Sequence, residues 1–95
     1  IYYSCDCDYD GLYIIYPLVK EKIPSIQLLT PNGNPKGIVE TEHNSKWENI
    51  KDKNIDALLT LTQLDILKRL VIHDQWIVEE SCNLIEMIHN YELTI

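Results

Sequence analysis

Asp6-Cys7-Asp8-Tyr9-Asp10-Gly11 is the stretch whose reading decides the fold. It follows the apolar Ile1-Tyr2-Tyr3 and leads into Leu12-Tyr13-Ile14-Ile15-Tyr16. Residues at i and i+2 of a strand point to the same side. Asp6 and Asp8 would then aim their carboxylates together, and Asp10 would join them if the strand ran on. Three like charges so close repel one another. A divalent cation removes that penalty, and hard oxygen donors suit Mg²⁺ or Mn²⁺. An acidic turn is the other reading, because Asp and Gly favour loops and helix N-caps without any metal.

Working outward, Ile1 to Cys5 reads as a short strand without polar alternation, so a buried one. Leu12 to Ile23 carries apolar residues at 12, 15, 16, 19 and 23, a helical spacing, with Asp10 as its N-cap. Pro17 falls inside that helix, so the rod bends there or its first turn is irregular. Pro24 ends it, and Ser25 to Leu29 reads as a second strand. The run Thr30 to Gly37 holds two of the three glycines and two of the four prolines, which marks it as a loop. Strand, helix and strand over roughly 30 residues make a βαβ unit with parallel strands.

Ile38 to His43 reads as a short edge strand or extended segment. Glu40, Glu42 and His43 are donors that a metal accepts, but nothing nearby completes a site, so a solvated segment is expected. Asn44 to Asn54 reads as a loop or a helical turn around Trp47. A helix opens at Thr62 with Asp65 closing a capping box, and carries an apolar stripe of Leu64, Leu67, Leu70 and Val71. His73-Asp74-Gln75 breaks it. A last helix is expected from Trp76 to Asn90, with Ile77, Leu84, Ile85 and Ile88 on one face and Glu79, Glu80 and Glu86 off it. His73 and His89 read as surface or helix-end residues.

The chain has 95 residues, one small domain, with 45% apolar and 24% charged side chains. Its first residues already read as a strand, so a piece of a longer protein is expected. No apolar run approaches the roughly 18 residues of a membrane helix. Cys5, Cys7 and Cys82 are odd in number and unevenly spaced, which fits reduced thiols in a cytoplasm rather than a disulfide framework. The net charge of −7, from 15 acidic and 8 basic side chains, argues against this piece alone gripping nucleic acid.

Asp6-Cys7-Asp8-Tyr9-Asp10-Gly11-Leu12-Tyr13-Ile14 resembles the Asp-x-Asp signature of Toprim domains, which ends a central parallel strand and is followed by a glycine that opens a helix. The third Asp resembles type II topoisomerases, although Tyr13 stands where those carry a histidine. Gly11-Leu12-x-Ile14, Pro24-Ser25-Ile26-Gln27-Leu28-Leu29 and the helix around Leu61 to Leu70 look more like topoisomerase VI A subunits. They look closest to the C-terminal Toprim domain of Wadjet JetD-like plasmid-defence nucleases. Val78-Glu79-Glu80-Ser81 resembles that family's final acidic motif, keeping its first acid and losing the last.

The resemblance implies an α/β fold: a partial, Rossmann-like Toprim domain with a short parallel sheet, a crossover helix and two C-terminal helices. It implies cleavage of DNA backbones with Mg²⁺ or Mn²⁺ on Asp6, Asp8 and Asp10, and Glu79 as a further ligand. The general acid or base would be a glutamate on a strand before Ile1. DNA, reached through a longer parent protein, a second copy and an SMC-type complex are the partners it implies. The competing expectation is a non-catalytic Toprim-like scaffold or a small acidic protein-binding module.

Overall fold

A computed structural model describes residues 1–50 and 54–94 of the chain. Two short strands, β1 (Tyr2–Tyr3) and β2 (Gln27–Leu28), pair in parallel, Tyr2 opposite Gln27 and Tyr3 opposite Leu28. Helical residues join them, so the first third of the chain is the expected βαβ unit. The fold is mixed α/β. β1 is shorter and more open than the continuous apolar run suggests: only two residues pair, and Ile1 is 77% exposed. Two strands give the run a single hydrogen-bonded neighbour, which leaves its outer end in water.

The crossover begins with a π-helical segment, Asp10–Ile15, and continues as α1 (Tyr16–Lys22). The wide turn is closed by the Tyr16 N–H donating to the Gly11 carbonyl. It meets the difficulty posed by Pro17, the second residue of α1, which has no N–H to give back to the preceding turn and follows directly on the wide turn. The irregular first turn is thus the solution found. Tyr9, not Asp10, stands at the N-cap of the segment, and the Tyr9 side chain makes no capping bond. Ile23 leaves the helical region at φ −130°, as a residue before proline must.

β3 (Lys36–Gly37) pairs antiparallel with β4 (Gln75–Trp76). The segment expected as an edge strand, Ile38 to His43, is a tight turn instead. Ile38 N–H donates to Asp74 O, Thr41 N–H to Gly37 O and His43 N–H back to Ile38 O, and Glu42 takes the left-handed φ of 52°. The turn drives Ile38 into the core and leaves Val39 in solvent. A 3₁₀ turn at Trp47–Ile50 follows, as expected around Trp47. The rest of that expected loop, Lys51 to Lys53, lies outside the described residues.

α2 (Leu61–His73) starts one residue before Thr62, and its cap is Thr60. Gln63 N–H donates to Thr60 Oγ1, and Thr60 N–H donates to Gln63 Oε1. This is the reciprocal capping box, two residues earlier than the Thr62–Asp65 pairing. Gln63 is buried because its Nε2 also donates to the Leu28 carbonyl at 2.7 Å, tying α2 to the parallel sheet. Leu67 and Leu70 are fully buried, with Leu64 and Val71 packed beside them, so the stripe is as expected. Asp74 closes the helix in the left-handed region.

The single helix expected from Trp76 to Asn90 does not form. Gln75–Trp76 is β4, Ile77 forms a two-way backbone bridge with Cys7, and Glu79–Ser81 is one 3₁₀ turn. Ile77 cannot give its N–H and C=O to Cys7 and also to a helix. α3 (Leu84–Thr94) begins later, where Asn83 Oδ1 accepts from Glu86 N–H. Met87 rather than Leu84 or Ile85 is its buried residue; Ile85 is 82% exposed. Two C-terminal helices are therefore present, with a strand between them. No helix among the described residues is long and apolar enough to cross a membrane. The three cysteines are free.

Candidate functional site: an acidic cleft at the start of the crossover

The Cys7–Ile77 bridge builds the site. Cys7 N–H donates to Ile77 O at 2.7 Å, and Ile77 N–H returns to Cys7 O at 3.1 Å. Pinning Cys7 with its side chain in the core leaves Asp6 and Asp8 on either side of it. Asp6, Asp8 and Asp10 all line one open cleft of about 490 Å³, together with Thr41, Glu42 and His43. The chain does not stay extended as far as Asp10, which opens the helical crossover, so the three acids line one cleft without following a single strand face.

Each carboxylate is held differently. Asp8 is 4% exposed; its Oδ1 accepts from Gly11 N–H at 2.8 Å, and its Oδ2 lies 2.7 Å from His43 Nε2. Asp6 is half-buried and accepts the Glu79 backbone N–H on Oδ1 at 2.8 Å. Asp10 is exposed, and its own N–H donates to Ser45 Oγ. Gly11 is required for the close approach: a methyl group there would collide with the Asp6 carbonyl oxygen.

Glu79 comes to this region through its backbone. Its side chain lines a neighbouring cavity with Ser4, Glu80, Cys82, Leu84 and Met87, while the Glu79 N–H serves Asp6. Among the described residues no group of three or more His, Cys, Asp or Glu is placed so that together they could hold a metal ion.

The donor set still fits a hydrated Mg²⁺, which keeps several waters and takes only one or two protein carboxylates. Among the described residues only one Asp6 oxygen takes a hydrogen bond, and Asp8 and Asp10 line the same space. Soft donors are withheld. Burial, with the charges of Asp8, Glu79 and Asp6 behind it, pushes the Cys5 thiol up to about 12. Burial raises Cys7 further still. Neither is a thiolate at neutral pH, so the cleft offers oxygen and one imidazole.

His43 is the residue that sequence reasoning missed. It sits 35 positions from Asp8, and Glu40, Glu42 and His43 looked like a solvated segment. The structure separates the three: His43 turns inward onto Asp8, while Glu40 stays outside, in contact with the Gly37 backbone region. The imidazole stacks on Trp76 with ring centroids 3.6 Å apart and planes within 8°. A tight turn placing a histidine beside an aromatic strand residue has no periodic signature, so no spacing in the sequence announces it. Comparison with protein-family models, curated proteins and solved structures finds no match to this chain.

Proposed function

We propose that the cleft is the metal-binding half of a phosphoryl-transfer centre, cleaving DNA backbones as part of a larger Toprim-type protein of DNA processing or plasmid defence. The observation that carries this reading is that Asp6, Asp8 and Asp10 line one open cleft, in the stretch between β1 and the crossover helix. A divalent cation bound there supplies Lewis-acid stabilisation of charge on a phosphate. The chain's own residues supply the rest. Asp6 and Asp8 present oxygens from either side of the pinned Cys7, Asp10 adds charge at the rim, and the Gly11 N–H fixes Asp8. Glu79 contributes by orienting Asp6 through its backbone. DNA is reached through the parent protein, since the net charge of −7 provides no grip of its own.

Mn²⁺ binding followed by electron paramagnetic resonance, alongside plasmid cleavage by the parent protein, tests this. Asp6→Asn and Asp8→Asn are expected to abolish both. Variants that bind Mn²⁺ and cut at the parental rate would show the reading to be wrong.

One observation favours a second reading, a non-catalytic scaffold or acidic protein-binding module: both Asp8 oxygens already have protein partners, so the loop holds itself together without a cation. That reading expects no rise in melting temperature with Mn²⁺, because only a ligand of the folded state stabilises it.

A further inference from the structure

We infer that His43 is a positioning residue for the acidic cleft, holding the Asp8 carboxylate in the one orientation that presents it to a divalent cation; the inference rests on the proposed reading of the cleft as a metal site. A carboxylate on its own is a broad rotor about its last torsion. Here both oxygens are clamped, Oδ1 by Gly11 N–H and Oδ2 by His43. A carboxylate oxygen only accepts, so Nε2 carries the proton and donates. Two hydrogen bonds use two of the roughly four lone-pair positions of the group and leave the others for a cation.

His43 is itself held, by its backbone and by one face of its ring. Its backbone N–H donates to the Ile38 carbonyl at 2.9 Å. Its face lies on Trp76 of β4, which is paired to β3. The Trp76 Nε1–H donates to Thr41 Oγ1 at 2.9 Å, and that hydroxyl donates to the Gly37 carbonyl at 2.7 Å. Thr41, Trp76, His43 and Asp8 thus form one chain of contacts from the β3–β4 ladder to the cleft. Partners that orient a ligating carboxylate in this way typically account for about 10- to 100-fold in metal affinity.

The experiment is a titration of the protein with Mn²⁺, reading free Mn²⁺ by electron paramagnetic resonance. The parental protein is compared with Asp8→Asn, His43→Ala, His43→Gln and Thr41→Val. His43→Ala is expected to weaken binding about tenfold or more. His43→Gln, whose amide N–H reaches the place of Nε2, is expected to restore most of the loss. A purely structural role would not show that rescue. Thr41→Val alters an exposed side chain that never touches Asp8, and is expected to weaken binding by a smaller factor through a looser Trp76. It decides the matter if His43→Ala does not fold. Parental affinity in His43→Ala or Thr41→Val, with binding lost in Asp8→Asn, overturns the role of His43 and leaves the metal site standing. A His43→Gln variant as weak as His43→Ala also overturns it. No Mn²⁺ bound by the parental protein overturns the metal site and this role together.

Discussion

Asp8 carries two burdens, fold and charge, and two substitutions separate them. Asp8→Ala deletes both hydrogen bonds of a buried carboxylate and strands the Gly11 N–H. Bonds to charged groups contribute about 1.5–3 kcal/mol each. Part of that loss is offset, because a buried charge and its repulsion from neighbouring carboxylates also disappear. A net destabilisation of about 3 kcal/mol remains, which for a domain of this size lowers the melting temperature by roughly 12–24 °C. Asp8→Asn keeps the shape. Its oxygen accepts from Gly11, and its amide donates to His43 once the imidazole takes the other tautomer. The expected loss is only about 1 kcal/mol, or roughly 4–8 °C.

Circular-dichroism melts in EDTA, with urea midpoints at unchanged m-value, measure both variants without any contribution from metal. An Asp8→Ala protein melting within about 3 °C of the parent would refute the claim that this carboxylate organises the loop. Equal damage from Asn and Ala would refute the claim that hydrogen bonding, rather than charge, is what the fold uses. With the expected ordering, Asp8→Asn becomes the informative variant for metal binding, since it is folded and lacks only the charge.

Gly11→Ala forces a methyl group onto the Asp6 carbonyl and is expected to cost about 2 kcal/mol or more, read as a fall in melting temperature. Thr60→Ala removes the N-cap of α2 and is expected to cost about 1 kcal/mol, whereas Thr62→Ala, on the exposed first turn, is expected to be nearly neutral; equal effects would contradict the capping assignment. The Cys5 thiol, raised from 9.0 to about 12 by burial, has roughly a thousandth of the ordinary thiolate fraction near pH 8, so iodoacetamide should label it in guanidinium and not in the native protein. The same shift has a linkage consequence. The unfolded state releases this proton first, so the contribution is whole below pH 9 and is lost as pH rises towards 12; Cys5→Ala should flatten that part of the alkaline denaturation curve.

The βαβ unit was legible because its signals are local: an apolar run, a helical period, Pro24 as a stop and a second apolar run. The stripe of Leu67 and Leu70 was legible for the same reason. The neighbourhood of Asp6 and Asp8 follows from the extended chain at the Cys7–Ile77 bridge, whereas Asp10 reaches the same cleft from the first turn of the crossover, which strand alternation does not describe. What was hidden depends on distant partners. Residues 76 to 90 carry a helix-like apolar spacing, yet Ile77 is claimed by Cys7 and Trp76 by β3, 70 and 40 positions upstream. Tertiary pairing overrode the period there. The α2 cap was misplaced because Thr60, Thr62, Gln63 and Asp65 offer two overlapping boxes, and the bond from Gln63 to Leu28 selects one of them. His43 was hidden because a turn with Glu42 at positive φ, not a strand, delivers it.

The electrostatics of the cleft also order events on the proposed reading. Asp6, Asp8, Asp10 and Glu42 line a single space in a chain whose net charge is −7, and His43 is the one imidazole among them. A phosphodiester approaching that rim meets carboxylates well inside the roughly 8 Å over which physiological salt screens charge. Among the described residues no lysine or arginine lines the cleft to offset them. The same field that repels the phosphate draws a cation. The clamp on Asp8 by Gly11 and His43 keeps a carboxylate in place against the repulsion of its neighbours while the space is empty of charge compensation. On the proposed reading, cation before anion is a consequence of how these side chains are set, and a cleft pre-organised by hydrogen bonds rather than by the metal would take up the cation without refolding the loop around it.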